Sequence, residues 1–158
     1  AGHVRHLYQV RGALDALAAR LTAVRVANGD LTASELDELR AMLSTNSHIG
    51  ASAGQQVDAD IAFHMAIHVL SGNPVLAEIA RPHWVQFRRC MLTVIEDSDI
   101  RAEVWPEHAR ILDAILNGDA ERAAACAEQH TQRAGESTAR RLSFYQNNTA
   151  TPVKEISS

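Results

Sequence analysis

Leu7, Val10, Leu14, Leu17, Leu21 and Val24 recur at alternating spacings of three and four, the stripe of a helix that buries one apolar face. Asn28-Gly29 ends that helix, because both residues tolerate the left-handed conformation of a helix C-terminus. A second helix starts at Thr32, with Glu35 at capping-box spacing and Leu36, Leu39 and Leu43 on one face. Residues 44–54, STNSHIGASAG, are small and polar and read as a loop. A third helix runs from about Gln55 to Leu70 and stops at SGNP, residues 71–74, whose proline opens the next. The fourth carries Leu76, Ile79, His83, Phe87, Met91 and Val94 along one stripe, and Pro82 inside it predicts a kink or break. After the polar turn EDSD, a fifth helix holds His108, Ile111, Leu112 and Ile115. NGD, residues 117–119, closes it, and Asp119 caps a long Ala-rich sixth helix reaching about Phe144. Residues 145–158 read as a frayed, disordered tail. No segment alternates at strand period, and no repeat has solenoid length. The pattern predicts an all-α fold over residues 1–144, a single-domain antiparallel bundle of about six to seven helices.

Composition narrows the classes. With 158 residues the chain is long enough for one domain with a real core. Aromatics are only 4% of it, so Leu, Ile, Val and Ala must fill that core, as suits packed helices. The net charge of −4 argues against this segment gripping a nucleic acid backbone, which needs a basic face. Cys90 and Cys126 stand alone without CxxC spacing, which fits a reduced, cytoplasmic setting. No apolar run approaches the roughly 20 residues of a membrane span. No signal peptide is evident, and the start at Ala1 suggests a trimmed chain.

Candidate chemistry lies on the apolar faces. Asp60 and His64 are i, i+4 neighbours, so their Cβ atoms lie roughly 5–6 Å apart. Val57 and Ile61 put them on the buried side, and His68 follows one turn later. His108 shares its face with Ile111, Leu112 and Ile115, and His130 with Ala123, Ala127 and Ala134. Three helices thus aim a carboxylate or imidazole inward, and each such group costs several kcal/mol if buried unpaired. A metal ion would satisfy all four at once. Hydrogen-bonded core histidines are the other reading, and among eight histidines accidental pairs are expected. His68 competes with Asp60 as a ligand, since it also sits one turn from His64. His48, His3 and His6 read as solvated.

Three segments carry a resemblance: VRGALDALAARLTA, DADIAFHMAIHVLSGNPVL and EHARILDAILNGDAERAAACAEQH. Their motifs D-x-x-F-H, S-G-N-P, E-H-x-x-I-L-x-A-I and G-D occur in the order found in the FCD domain, the C-terminal effector domain of FadR-type GntR transcription regulators. The chain resembles that family over roughly residues 7–140. The resemblance implies an all-α bundle with a central metal and ligand cavity, a divalent metal on one Asp and three His, and a small organic acid as effector. It assigns the ligands to Asp60, His64, His108 and His130, and leaves His68 behind or outside them. The expected metal is Zn²⁺, with Ni²⁺, Mn²⁺ and Fe²⁺ open.

Arg11 occupies the arginine of the family's R-x-x-L-[ED] motif. It reads either as a partner for an effector carboxylate or as an ion pair with Asp15 one turn on. Arg88 and His83 on the fourth helix are further effector-contact candidates, while Asn73 reads as a cap. Asp15 stands where the family usually has Glu, and Pro82 and His83 depart from its ordinary helix formers. The expected function is therefore not enzymatic. It is effector sensing and homodimerisation, with DNA bound by an N-terminal winged helix-turn-helix outside these 158 residues and no membrane involved. Two rivals stand beside it. A helical metalloenzyme needs a base near the metal, and neither H-E-x-x-H nor paired Glu-x-x-His is present. A metal-free interaction module would keep the histidines satisfied in the core.

Overall fold

Among the described residues, polar side chains cap the starts of four helices. The computed structural model describes residues 2–43, 51–95 and 98–149. Helix α1 spans Gly2–Asn28 and α2 spans Ala33–Ala41. Between them Gly29 takes φ 74°, which glycine adopts without Cβ strain, and the Asp30 N–H turns back to the Arg25 carbonyl at 2.9 Å. The expected capping box closes: the Thr32 hydroxyl accepts from the Glu35 N–H, and the Glu35 carboxylate accepts from the Thr32 N–H. A second capping box, Ser52 with Gln55, opens α3 at Ala53–Leu70, so the end of the expected loop is helical. Residues 44–50, with His48, lie outside the described residues.

Asn73 caps α4, Pro74–Ala80, with proline in its first turn. Pro82 does break the fourth helix, as its sequence position predicts. One turn of 3₁₀ helix, Arg81–His83, separates α4 from α5, Trp84–Leu92. Helices α6, Ser98–Leu116, and α7, Ala120–Thr149, follow. The Asp119 side chain accepts from the Arg122 N–H at the start of α7. Helix α7 runs five residues past Phe144, and residues 150–158 lie outside the described residues. The fold is all-α, with seven α-helices and no strand among the described residues.

Side-chain pairs fix the helix directions. Tyr8 meets Thr138, Asp15 meets Thr131 and Arg20 meets Glu121, so α1 and α7 run antiparallel. Asp113 pairs with Arg122 and Glu107 with His130, so α6 and α7 do too. Asp15 meets His64, Thr22 bonds the Ile67 carbonyl and Arg25 the Leu70 carbonyl, so α1 and α3 run parallel. The bundle is thus mixed rather than uniformly antiparallel. At the α1–α7 crossing a Cβ on Gly135 would stand 2.6 Å from the Tyr8 Cβ, closer than real Cβ contacts come, so only glycine permits this approach.

The leucine stripe of α1 is not its buried face. Val10, Leu17 and Val24 are exposed, and Leu7, Leu14 and Leu21 are half-buried. The face turned inward is Tyr8, Arg11, Gly12, Asp15, Ala18, Ala19, Thr22 and Ala23. Small residues let α7 and α3 come close, and each polar member finds a partner inside. Beneath it Phe63, Ile67, Leu76, Ile111 and Ile115 form the main apolar core with Leu39. No helix among the described residues is long and apolar enough to cross a membrane.

Candidate metal centre

Helices α3, α6 and α7 bring Asp60, His64, His108 and His130 to one point. One ligand atom from each lies within 4.8 Å of all the others, and all four residues are buried. Asp60 Oδ1 is 3.2 Å from His64 Nε2 and 3.2 Å from His108 Nε2, and the two Nε2 atoms of His108 and His130 are 3.3 Å apart. The His108–His130 contact has hydrogen-bond geometry, whereas the two contacts to Asp60 Oδ1 are close but not directed as hydrogen bonds. Asp60 Oδ1 and His64 Nε2 have no hydrogen-bond partner despite complete burial. Groups so placed share a focus rather than each other, which is the arrangement a cation would satisfy.

The backs of the imidazoles are held. His130 donates from Nδ1 to Glu107 Oε2 at 2.7 Å, and Glu107 Oε1 is bonded by Arg133. His64 Nδ1 lies 3.3 Å from Asp15 Oδ2. A carboxylate behind an imidazole fixes its tautomer and turns Nε2 forward, as it does for metal-bound histidines. The His108 ring is held by packing, stacked on Phe63 at 4.5 Å between ring centres and met edge-on by Trp105 at 5.0 Å.

Ionisation suits the same picture. Burial pushes His108 down to about 3 and also lowers His64, which favours the uncharged imidazole that a metal binds. Burial alone would raise Asp60, but His108 and His64 beside it hold it well below the usual carboxylate range. One carboxylate and three imidazoles form a donor set suited to a divalent ion of the zinc type.

The other sequence candidates fall in different places. His68 is buried but stands apart from the four, donating from Nε2 to Asp15 Oδ1 at 2.7 Å. Arg11 is buried and pairs through Nε with Asp15 Oδ2 at 3.1 Å. Asp15 therefore gathers Arg11, His68, His64 and Thr131, and although burial would raise it, His64, Arg11 and His68 hold it well below the carboxylate range. His83 is half-buried and borders a cavity together with Arg11. Arg88 is not brought to either place: it is exposed and pairs with Asp58 on the surface at 2.7 Å. His3 and His6 are exposed.

Asp15 and Glu107 support the site from behind, a role the sequence pattern does not assign to them. Asp15 was legible only as the i, i+4 partner of Arg11. Glu107 follows a different direction from His108, as adjacent helical residues must, but α7 lies on that side and presents His130. A groove of about 280 Å³, lined by Glu107, His130, Arg133, Ser137 and Arg140, reaches the cluster there.

No curated protein matches the chain. Residues 6–133, most of its length, match the FCD domain. With this match and the helical fold, the chain belongs to the FCD family, the effector-binding domains of GntR-type regulators.

Proposed function

We propose that this chain is the sensing half of a cytoplasmic GntR-type transcription regulator and that it holds one divalent metal ion, Zn²⁺ foremost, on Asp60, His64, His108 and His130. A small organic acid is the effector, with Arg11 as the partner of its carboxylate. The domain pairs with a second copy, and DNA is contacted by a separate winged helix-turn-helix. The observation that carries the metal reading is the pair of orphaned buried atoms, Asp60 Oδ1 and His64 Nε2, inside a cluster whose rear nitrogens on His64 and His130 face carboxylates.

An effector acts only by binding two states unequally, and such coupling typically amounts to about 1–3 kcal/mol. Here the two states differ in how α1, α3 and α7 pack about Asp15 and the metal. Sensing fits the site better than turnover. The carboxylate beside His108, Glu107, is engaged by both His130 and Arg133, which suits a fixed shell more than a proton shuttle.

Elemental analysis tests the proposal. About one metal per chain is expected in the parent protein, and a large loss in His130→Ala. Equal metal content in the two proteins, or none in the parent even after adding Zn²⁺ or Ni²⁺, would sink the four-residue site.

A further inference from the structure

Nη1 and Nη2 of Arg11 are buried and donate to no partner, although Nε is paired with Asp15. The guanidinium is boxed by rings, 5.0 Å from the centre of Trp84, 5.1 Å from Phe87 and 5.8 Å from Tyr8. Aromatic faces soften the loss of water around a cation, but they accept no conventional hydrogen bond. This cation borders a cavity of about 280 Å³, whose walls are mainly Leu7, Leu14, Ala80, Trp84 and Phe87. Asp15 and His68 lie at its polar end, and His83 also borders it. None of the four metal-cluster residues borders it. Asp15 belongs to both neighbourhoods, since its Oδ2 atom lies 3.3 Å from His64 Nδ1.

Building on the reading of this chain as an acid sensor, we propose that this cavity is the effector site and that it takes a monocarboxylic acid with an apolar body, outside the coordination sphere of the metal. The carboxylate lies across Nη1 and Nη2 of Arg11, where a planar fork matches two oxygens. The body of the acid lies against Trp84, Phe87 and the aliphatic wall. A di- or tricarboxylate would bury further charges against that wall without partners, which disfavours it. The volume is near the lower end of ligand pockets, roughly 300–1,000 Å³, and so admits a small molecule only. Communication with the metal passes through Asp15. A carboxylate on Arg11 shares the charge that Asp15 now holds alone, and Asp15 in turn backs His64. By linkage, acid and metal then alter each other's affinity by the same factor without sharing a bond.

The test uses the full chain loaded with Co²⁺, titrated with benzoate, octanoate and citrate while heat and the visible cobalt bands are recorded. Benzoate or octanoate is expected to bind and citrate not, with the bands keeping the pattern of an unchanged ligand set. Arg11→Gln should weaken binding by about tenfold or more, the loss expected for a hydrogen bond to charge. Because that variant disturbs a buried ion pair, His83→Trp is the second: it crowds the cavity without touching Arg11 or Asp15. It should weaken acid binding while retaining cobalt. Preference for citrate, cobalt bands that report a new ligand, unchanged binding in His83→Trp, or a cobalt-loaded chain that binds neither apolar acid would each overturn the proposal. A chain that takes up no cobalt overturns the metal site instead, and acid binding to that chain still decides the cavity.

Discussion

On one side of His64, Nε2 faces Asp60, His108 and His130. On the other, Nδ1 faces Asp15, which also holds Arg11, His68 and Thr131. Both neighbourhoods are buried, and both contain one carboxylate among nitrogen ligands, yet they are incomplete in opposite senses. At Asp60 the orphaned atoms include a carboxylate oxygen and an imidazole nitrogen that point to the centre, Asp60 Oδ1 and His64 Nε2, besides His108 Nδ1 at the rear of its ring. At Asp15 the carboxylate is well served, and the orphaned atoms include the two outer N–H groups of Arg11. The first asks for a cation and the second for an anion. One imidazole joins them, so a charge supplied to either is felt at the other.

The largest test strikes the shared carboxylate. Asp15→Ala leaves Arg11 buried without its ion-pair partner and removes the support behind His64, so it should cost about 3–5 kcal/mol, as breaking a buried pair does. Urea denaturation measures this. A loss under about 1 kcal/mol would mean that water reaches Arg11 and that the two neighbourhoods are not one unit. Removal of the metal by a chelator comes next. It should lower stability by about 2.7 kcal/mol if the free ion had stood at 100 times its Kd. A melting temperature that ignores both chelator and added Zn²⁺ would reduce the Asp60 side to ordinary core packing.

Sequence carries these two neighbourhoods unequally. The Asp60 side is legible because its residues interrupt apolar faces at helical spacing: Asp60 and His64 follow Val57, His108 precedes Ile111, and His130 falls between Ala127 and Ala134. The caps at Thr32 and Asp119 and the break at Pro82 are legible because they act within a few residues. The Asp15 side is hidden because α1 presents its apolar stripe outward and its mixed small and polar face inward. Periodicity measures contrast around a helix, and a helix that buries Arg11, Asp15 and Thr22 while exposing Val10 and Leu17 defeats it. The parallel run of α1 beside α3 and the meeting of Glu107 with His130 depend on which helices are neighbours, and no local pattern encodes that.

Glu107→Gln sharpens the metal side alone. The amide can still accept from His130 Nδ1, but it carries no charge to raise the basicity of the imidazole, and it loses the ion pair to Arg133. Losses behind a metal ligand typically cost about 10–100-fold in affinity. Competition with a chromophoric chelator should show a fall in that range, with little change in helical content. Unchanged affinity would assign Glu107 to surface ion pairing and leave the orientation of His130 to packing.

The smallest effect is expected at Arg88. Its guanidinium and the carboxylate of Asp58 lie on the outer surface of α5 and α3, with side chains 44% and 59% exposed. Exposed pairs of this kind gain little, because water screens their attraction and ordering two long side chains opposes it. Arg88 and Arg11 are both arginines paired with an aspartate, so the contrast isolates burial as the variable. Arg88→Ala should therefore leave the melting temperature, the metal content and acid binding unchanged within error. A clear loss of acid affinity in Arg88→Ala would place the effector on the α5 surface and remove the reason for assigning it to the cavity beside Arg11.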